Sequence, residues 1–167
     1  IDAALAIHQE HGCAPDEIDR VEVHVVESAY AQVCNPLEEK RRPRNQVMAQ
    51  FSLPFFVALA LSQGEVSLTA LEGDVLEDPK ILELAGKVHP HIDATLEREH
   101  QQAHSWPAEV IVVTHDAKTY RKKVTYARGM PENPLQPTDA ERKFRLCAQL
   151  ALPPAKAESL LKLVANL

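Results

Sequence analysis

The chain has 167 residues, of which 45% are apolar and 25% charged, and its formal net charge is -6 at pH 7. This length and composition predict one soluble globular domain with its own core. The negative charge argues against general affinity for nucleic acid, which is bound through surplus Lys and Arg. The longest nearly apolar run, residues 51–61, is too short to cross a bilayer.

The first helix is predicted to begin with the chain itself. Ile1 opens directly into an apolar helical pattern, with no Met, signal peptide or capping residue before it. A helix normally begins at a residue that satisfies its first amides. We therefore expect that a further segment precedes this chain in the natural protein. The helix is expected to end near Gly12, which suits the left-handed position just after a helix.

A strand and a central helix follow. Residues 20–26 predict a half-buried strand, because valines alternate there with polar residues. Residues 30–44 are expected to form a charged loop around a short helix. The next helix is predicted to be central to the core, with Ser52 as its cap, Pro54 in its first turn and Gly64 at its end.

Two further caps and a strand are predicted in the middle of the chain. Ser67 and Asp78 each have the character of a cap for a short helix, and Pro79 suits the first position of the second one. Residues 88–96 predict a strand. Pro90 restricts that strand to an edge, or that residue to the strand's entry, because proline cannot donate to a ladder.

The last third of the chain predicts a hairpin and two helices. Alternation in residues 108–113 resumes in residues 120–126 after a tight turn, which indicates an antiparallel hairpin. Thr138 and Glu141 have capping-box spacing, so a helix is expected from there to about Gln149. A final helix is predicted after two prolines, with one apolar face formed by Leu160, Leu161, Val164 and Leu167.

Together these elements predict an α+β fold. Helices and strands are mixed without the regular β-α-β alternation of a parallel sheet. A two-layer sandwich is therefore expected, in which a mostly antiparallel sheet of about four strands is covered by helices. We expect a single domain over residues 1–167.

Few residues carry a recognisable chemical motif. The cysteines, Cys13, Cys34 and Cys147, show no C-x-x-C spacing, which argues against a disulfide framework or zinc knuckle and favours a reducing, cytoplasmic location. We interpret Cys34 and Cys147 as core or subsurface residues. No nucleophile elbow or Gly-rich phosphate loop is present, so we predict no cofactor.

Several histidines have the spacing of metal ligands. Three pairs have ligand-like spacing: His8 and His11, His89 and His91, His100 and His104. The last pair has the i, i+4 spacing of a zincin helix but lacks the Glu that would serve as base. We therefore predict no metal site.

A basic run stands out against this acidic chain: Lys40, Arg41, Arg42 and Arg44. Charge runs are usually solvated, and that is one interpretation. The other is a clamp for carboxylates, which guanidinium groups bind through two parallel hydrogen bonds. A role in nucleic-acid binding would need aromatic partners or a wider basic surface, and only Tyr30 is nearby.

Three segments carry a family resemblance. They read IDAALAIHQEHG followed by IDRVEVHV, then KRRPRNQVMAQFSLPFFVALAL, then YARGMPENPLQPTDAERKF. The second is similar to a charged loop with an A-x-F-S-x-P-Y helix start, and the third to a G-x-P-x-N-P-L loop before a K-F helix. In this order they resemble the C-terminal region of the MmgE/PrpD family, over nearly the whole chain.

The resemblance implies both a reaction class and a domain layout. The family includes 2-methylcitrate dehydratases, cis-aconitate decarboxylases and an iminodisuccinate epimerase. It therefore implies a cofactor-independent lyase or isomerase acting on small polycarboxylates, with the substrate left open. A larger all-helical N-terminal domain, absent from this chain, would supply most catalytic residues, while the α+β domain covers the cleft as a lid. A homodimer is expected, and the chain alone should be inactive.

The resemblance also implies which residues face the cleft. The substrate-binding candidates are Arg41, Arg42, Arg44, Gln50 and Ser52. A carboxylate substrate needs cationic and amide partners of this kind. Ser52 has a simpler interpretation as a helix cap.

No catalytic residue is assigned from the resemblance. The family's His, often with a Lys, lies just upstream of the segment that matches Ile1. The family's Tyr after Ser-Leu-Pro is Phe55 here, which removes a hydroxyl group. Phe51 and Phe55 are interpreted as core residues at helical spacing.

Three hypotheses stay open from the sequence. The first is the lid domain of an MmgE/PrpD-type enzyme. The second is a non-catalytic binding or dimerisation module of the same fold. The third is a nucleic-acid binder that uses the basic run, for which binding would be steeply salt-dependent.

Overall fold

The computed structural model describes residues 1–67 and 69–165. The chain divides into two compact units, Ile1–Ala127 and Arg128–Leu167. The prediction of a single domain stays a prediction. No helix in the described residues is long and apolar enough to span a bilayer.

The first unit combines a sheet with helices. Its strands are β1 Ile18–Val25, β2 Val88–Ile92, β3 Ala108–Thr114 and β4 Thr119–Val124. Its helices are α1 Asp2–His11, α2 Glu27–Ala29, α3 Leu37–Arg41, α4 Gln46–Gln50, α5 Leu53–Gln63, α6 Pro79–Gly86 and α7 Ala94–Ala103. Short 3-10 turns lie at Pro15–Glu17 and Val75–Glu77, and a π-helical turn at Tyr30–Cys34.

The described strands form one sheet with the order β2-β1-β3-β4. The β1–β3 and β3–β4 pairs are antiparallel, whereas β1 and β2 run parallel. Pro90 lies on the edge strand β2, opposite Val23, so its missing amide breaks no ladder inside the sheet. The α+β prediction with a mostly antiparallel sheet is confirmed.

The core lies between one face of the sheet and the helices α1, α5 and α6. The valines of β1 point into it, while Glu22 and His24 on the same strand lie half-buried on the other face. α5 is buried over most of its length, because its own side chains are apolar on nearly every side of the helix. Phe55 is fully buried and meets Phe56 edge to face at 6.4 Å between ring centroids.

Several helix ends follow the predicted residues. Ser52 and Asp78 accept hydrogen bonds from backbone amides in the first turns of α5 and α6. Gly12 and Gly64 end α1 and α5 in the left-handed conformation, with φ of 61° and 66°. The Ser67 hydroxyl instead pairs with that of Thr69 at 3.1 Å, and a turn follows, so the predicted helix there is wrong.

Two segments are more helical than predicted. Residues 30–44 hold a π-helical turn and α3 rather than a loop around one short helix. The predicted strand over residues 88–96 ends at Ile92, because the Asp93 carboxylate accepts hydrogen bonds from the amides of Thr95 and Leu96 and starts α7. These bonds hold the pKa of Asp93 below its usual value.

In the second unit, the described residues 128–165 form the helices α8 Pro137–Ala148 and α9 Pro154–Ala165. The first turn of α8 begins earlier than predicted from Thr138, since the Asp139 carboxylate accepts a hydrogen bond from the Gln136 amide at 3.3 Å. Arg145 and Glu158 form an ion pair between the two helices, at 2.6 Å.

The apolar face predicted for the last helix lies mostly at the surface. Leu160 and Val164 on α9 are exposed, and Leu167 lies outside the described residues. Cys147 on α8 is also exposed, so its interpretation as a core or subsurface residue is wrong.

Gly64 offers a test of how α1 is fixed to α5. The His8 ring lies against Gly64, and His8 Nδ1 donates a hydrogen bond to the Leu61 carbonyl at 2.7 Å. A Cβ at position 64 would collide with this ring, whereas a Cβ on Gly12 would meet no atom within 4 Å. Gly64→Ala should therefore destabilise more than Gly12→Ala, which costs only the left-handed strain of about 1–2 kcal/mol.

Urea unfolding, monitored by circular dichroism, measures the loss of stability in each of the two glycine variants. Each glycine substitution combined with His8→Ala provides the control. Without the His8 ring, the loss of stability caused by Gly64→Ala should fall towards that caused by Gly12→Ala. Equal losses for the two glycine variants in the original background would contradict this packing.

Candidate functional site

A cavity of about 250 Å³ opens between the start of α5 and the helix-covered face of the sheet. Its walls come from the start of α1, the α4–α5 junction, three strands and the segment before β3. The side chains around it are mostly apolar: Ile1, Ala3, Val23, Val33, Leu53, Phe56, Val57, Trp106, Ala108, Val110, Val124 and Ala127. Its polar side chains are Asp2, Gln50 and Ser52.

Ser52 joins the basic run to the cavity wall. Its side chain is buried, and its Oγ accepts a hydrogen bond from the Phe55 amide at 3.1 Å. The same hydroxyl donates to the Lys40 carbonyl. The cap interpretation of Ser52 is confirmed, and both hydrogen-bonding roles of its hydroxyl are already engaged within the protein.

Gln50 lies at the end of α4 and is exposed at the cavity. No other described residue forms a hydrogen bond with its side-chain amide. Phe51 follows it and is 47% exposed, so the prediction that it belongs to the core is wrong. Gln50 therefore offers both a donor and an acceptor to a molecule in the cavity.

Lys40 holds the α3–α4 region together. Its Nζ donates to the carbonyls of Gln32 at 3.0 Å and Phe51 at 2.7 Å. Because a Lys ammonium has three donors and no acceptor, two backbone carbonyls satisfy most of it. Lys40 is thus a structural cation in this arrangement.

Arg41 is tied to the edge of the sheet. Its guanidinium donates to the Val88 carbonyl at 2.8 Å and to Glu38 at 3.0 Å, and it lies 3.4 Å from His89 Nδ1. The side chain is only 15% exposed. A guanidinium largely withdrawn from water needs such partners, so Arg41 connects α3 to β2.

Arg42 and Arg44 differ from their neighbours in the run. Both are exposed, and neither forms a hydrogen bond or ion pair with another described residue. None of the three predicted arginines contributes to the cavity lining in the described residues. The structure therefore brings Gln50 and Ser52 to the cavity and leaves Arg41, Arg42 and Arg44 outside it.

Trp106 is a cavity residue that the sequence analysis missed. It lies between α7 and β3, is 53% exposed, and its ring centroid is 4.7 Å from that of His100. His100 Nδ1 in turn donates to the Ser105 carbonyl. As the single tryptophan of the chain it was visible in the sequence, but nothing nearby indicated that it would lie across from α5.

Other candidate groups for chemistry lie apart from the cavity. Burial raises the pKa of the Cys34 thiol to about 11, against the opposing effect of Lys40, so it stays protonated at neutral pH and is a poor nucleophile. His91 Nε2 contacts Glu22 at 2.6 Å on the opposite face of the sheet. No group of three metal-ligating side chains occurs among residues 1–67 and 69–165.

The charged side chain in the described cavity lining is the Asp2 carboxylate at the start of α1, and positive partial charge comes from a helix end at the α4–α5 side of the lining. Of the described residues in its lining, none is Lys, Arg or His. Ser52 and Leu53 at the wall begin α5, an 11-residue helix whose N-terminus carries partial positive charge. A carboxylate would be stabilised at this end of the cavity and an apolar group elsewhere in it.

A concave, mostly apolar cavity with a few polar groups at one side is typical of a domain that binds a small molecule. The comparison with known families identifies which family of proteins this domain belongs to. The chain belongs to the MmgE/PrpD family, because residues 1–167, its full length, match the MmgE/PrpD C-terminal domain. No curated protein gives a significant match.

The different environments of Arg41 and Arg42 give a prediction about stability. Arg41→Lys should destabilise the fold by about 1–3 kcal/mol, because a single ammonium cannot replace hydrogen bonds to both a carbonyl and a carboxylate. Arg42→Lys, the matched control on an exposed neighbour, should change stability by less than about 0.5 kcal/mol. Urea unfolding of both variants tests this, and equal effects would show that Arg41 has no structural role.

Proposed function

We propose that this chain is the C-terminal lid domain of a cofactor-independent lyase or isomerase that acts on small polycarboxylates. The observation that carries the proposal is the cavity at the start of α5. Its lining includes Gln50, Ser52, Leu53, Phe56 and Val57, from the helix start that resembles the family's. Family membership supports the reaction class, and the cavity supplies a place for part of a substrate.

Within this proposal the lid binds and covers the substrate. One carboxylate lies at the α5 N-terminus, where the helix dipole and the Gln50 amide stabilise it. Arg42 and Arg44, exposed and without partners among the described residues, are proposed to contact further carboxylates when the cleft closes. Closure would exclude water and strengthen each of these interactions.

The proton-transfer groups are assigned to the family's all-helical N-terminal domain. Removal of a proton beside a carboxylate needs a positioned base, and the described cavity lining contains no His or Lys. Phe55, at the position of the family's Tyr, is buried in the core and has no hydroxyl. We therefore expect the chain alone to bind substrate weakly and to leave it unchanged.

Location and assembly form part of the same proposal. Cys13, Cys34 and Cys147 are free thiols, as suits the reducing cytoplasm. A homodimer is proposed by analogy with the family. Leu163 and Val164 on α9 are 66% and 64% exposed and could be covered by a partner.

The proposal predicts a specific pattern of binding. In a ¹H–¹⁵N NMR titration, citrate, 2-methylcitrate or cis-aconitate should shift the amide resonances of Gln50 and Leu53. Gln50→Ala should weaken binding roughly fivefold, the loss expected for one hydrogen bond. Gln63→Ala, at the exposed opposite end of α5, should leave it unchanged.

Other outcomes would support different functions. Turnover of any of these acids in D₂O by the chain alone would show a complete active site within it. Absence of shifts near the cavity with all three acids would contradict the proposal and favour the binding or dimerisation module. Steeply salt-dependent binding of DNA that is lost in an Arg42→Gln, Arg44→Gln variant would favour the nucleic-acid binder.

A further inference from the structure

Most of the cavity wall is apolar and would not stabilise a carboxylate. Its far wall is built by the inward side chains of β1, β3 and β4, among them Val23, Val110 and Val124. Moving an ionised carboxylate against such a wall without a partner is strongly unfavourable. The neutral polar side chains, Gln50 and Ser52, lie at the α4–α5 side, and the Asp2 carboxylate lies at the start of α1. A ligand that fills this cavity therefore needs an apolar part against the sheet and a polar part at Gln50 and the α5 N-terminus, which the proposed function takes to be a carboxylate.

The size of the cavity defines how large the apolar end is. An engineered protein cavity of about 150 Å³ lined by aliphatic and aromatic side chains binds benzene. The present cavity, at about 250 Å³, is larger and comparably lined. A methyl or hydrogen substituent would leave most of it empty, whereas a phenyl or branched butyl group would fill much of it and remove apolar surface from water.

Trp106 is placed to select for this group. Its half-exposed indole contributes to the cavity lining, and contact with the His100 ring helps to hold it there. Aromatic side chains bury large apolar areas and favour contact with other rings. Ala108, at the start of β3, also lines the cavity, so side-chain size at this position controls the space available.

We propose that the cavity is a subsite for an apolar substituent of about phenyl size on a polycarboxylate, and that Trp106 is a specificity-determining residue. This inference rests on the proposed function for the presence of the carboxylates. It goes further in naming the substituent, since unsubstituted acids such as citrate would leave the apolar wall uncovered.

Benzylsuccinate and succinate form a matched pair of probes, because they share two carboxylates and differ by the benzyl group. Binding to the chain is followed by NMR and by the fluorescence of Trp106, its single tryptophan. Benzylsuccinate should bind at least tenfold more tightly than succinate and shift the Trp106 emission. Equal affinities, or binding that leaves Trp106 emission and the cavity resonances unchanged, would overturn the inference.

Two variants and one control variant locate the effect. Ala108→Leu should fill part of the cavity and weaken benzylsuccinate binding at least tenfold, with succinate binding unchanged. Val113→Leu, on the opposite face of the same strand, should alter neither.

Trp106→Ala should reduce the preference for benzylsuccinate, measured by NMR on a variant whose folding is verified by circular dichroism. Retention of the full preference in both Ala108→Leu and Trp106→Ala would contradict the assignment.

A third probe separates this inference from the proposed function. 3-Phenylpropan-1-ol carries the same ring without carboxylates. If it binds as tightly as benzylsuccinate, the apolar subsite stands and the proposed polycarboxylate function fails. If succinate and benzylsuccinate bind equally at Gln50 and Leu53, the proposed function stands and the apolar subsite fails.

Discussion

The buried Ser52 hydroxyl is the contact on which the cavity depends. It caps α5 through the Phe55 amide and donates to the Lys40 carbonyl, so one side chain fixes the start of the central helix against the end of α3. The Lys40 ammonium reinforces this from the other side by donating to the Phe51 carbonyl. Because an unsatisfied buried hydroxyl or carbonyl is costly, these bonds define a single arrangement of the α4–α5 junction. That arrangement places Gln50 and the α5 N-terminus at the cavity.

The basic run shows how one stretch of sequence divides into two roles. Lys40 and Arg41 turn inward and donate to backbone carbonyls, which compensates for the loss of their hydration. Arg42 and Arg44 extend into solvent and retain their charge for other contacts. A carboxylate clamp, one of the two interpretations of this run from the sequence, would use all of these cations on one ligand. Within this run, Arg42 and Arg44 form no hydrogen bond or ion pair with another described residue.

Features set by local chemistry could be predicted from the sequence, whereas features set by long-range packing could not. The Asp78–Pro79 start of α6, the Gly64 end of α5 and the hairpin depend on neighbouring residues, and these predictions agree with the structure. α7 was missed because apolar residues continue past Asp93, and only its cap marks the change. At the candidate site, the resemblance pointed to Gln50 and Ser52, but Trp106 joins them only in the folded chain, where the segment before β3 and the α4–α5 junction line the same cavity.

The apolar character of this cavity fits a lid better than a complete active site. A site that bound every carboxylate on the lid would need buried cations whose desolvation is costly while the cleft is open. A lid that contributes an apolar wall, a helix N-terminus and one amide avoids that cost. In the proposed enzyme the cations and the base then meet the substrate only on closure, when water is excluded and their electrostatic effect is largest. Discrimination between substrates would in this way depend on how well the apolar group fills the lid, because a poor fit weakens closure itself.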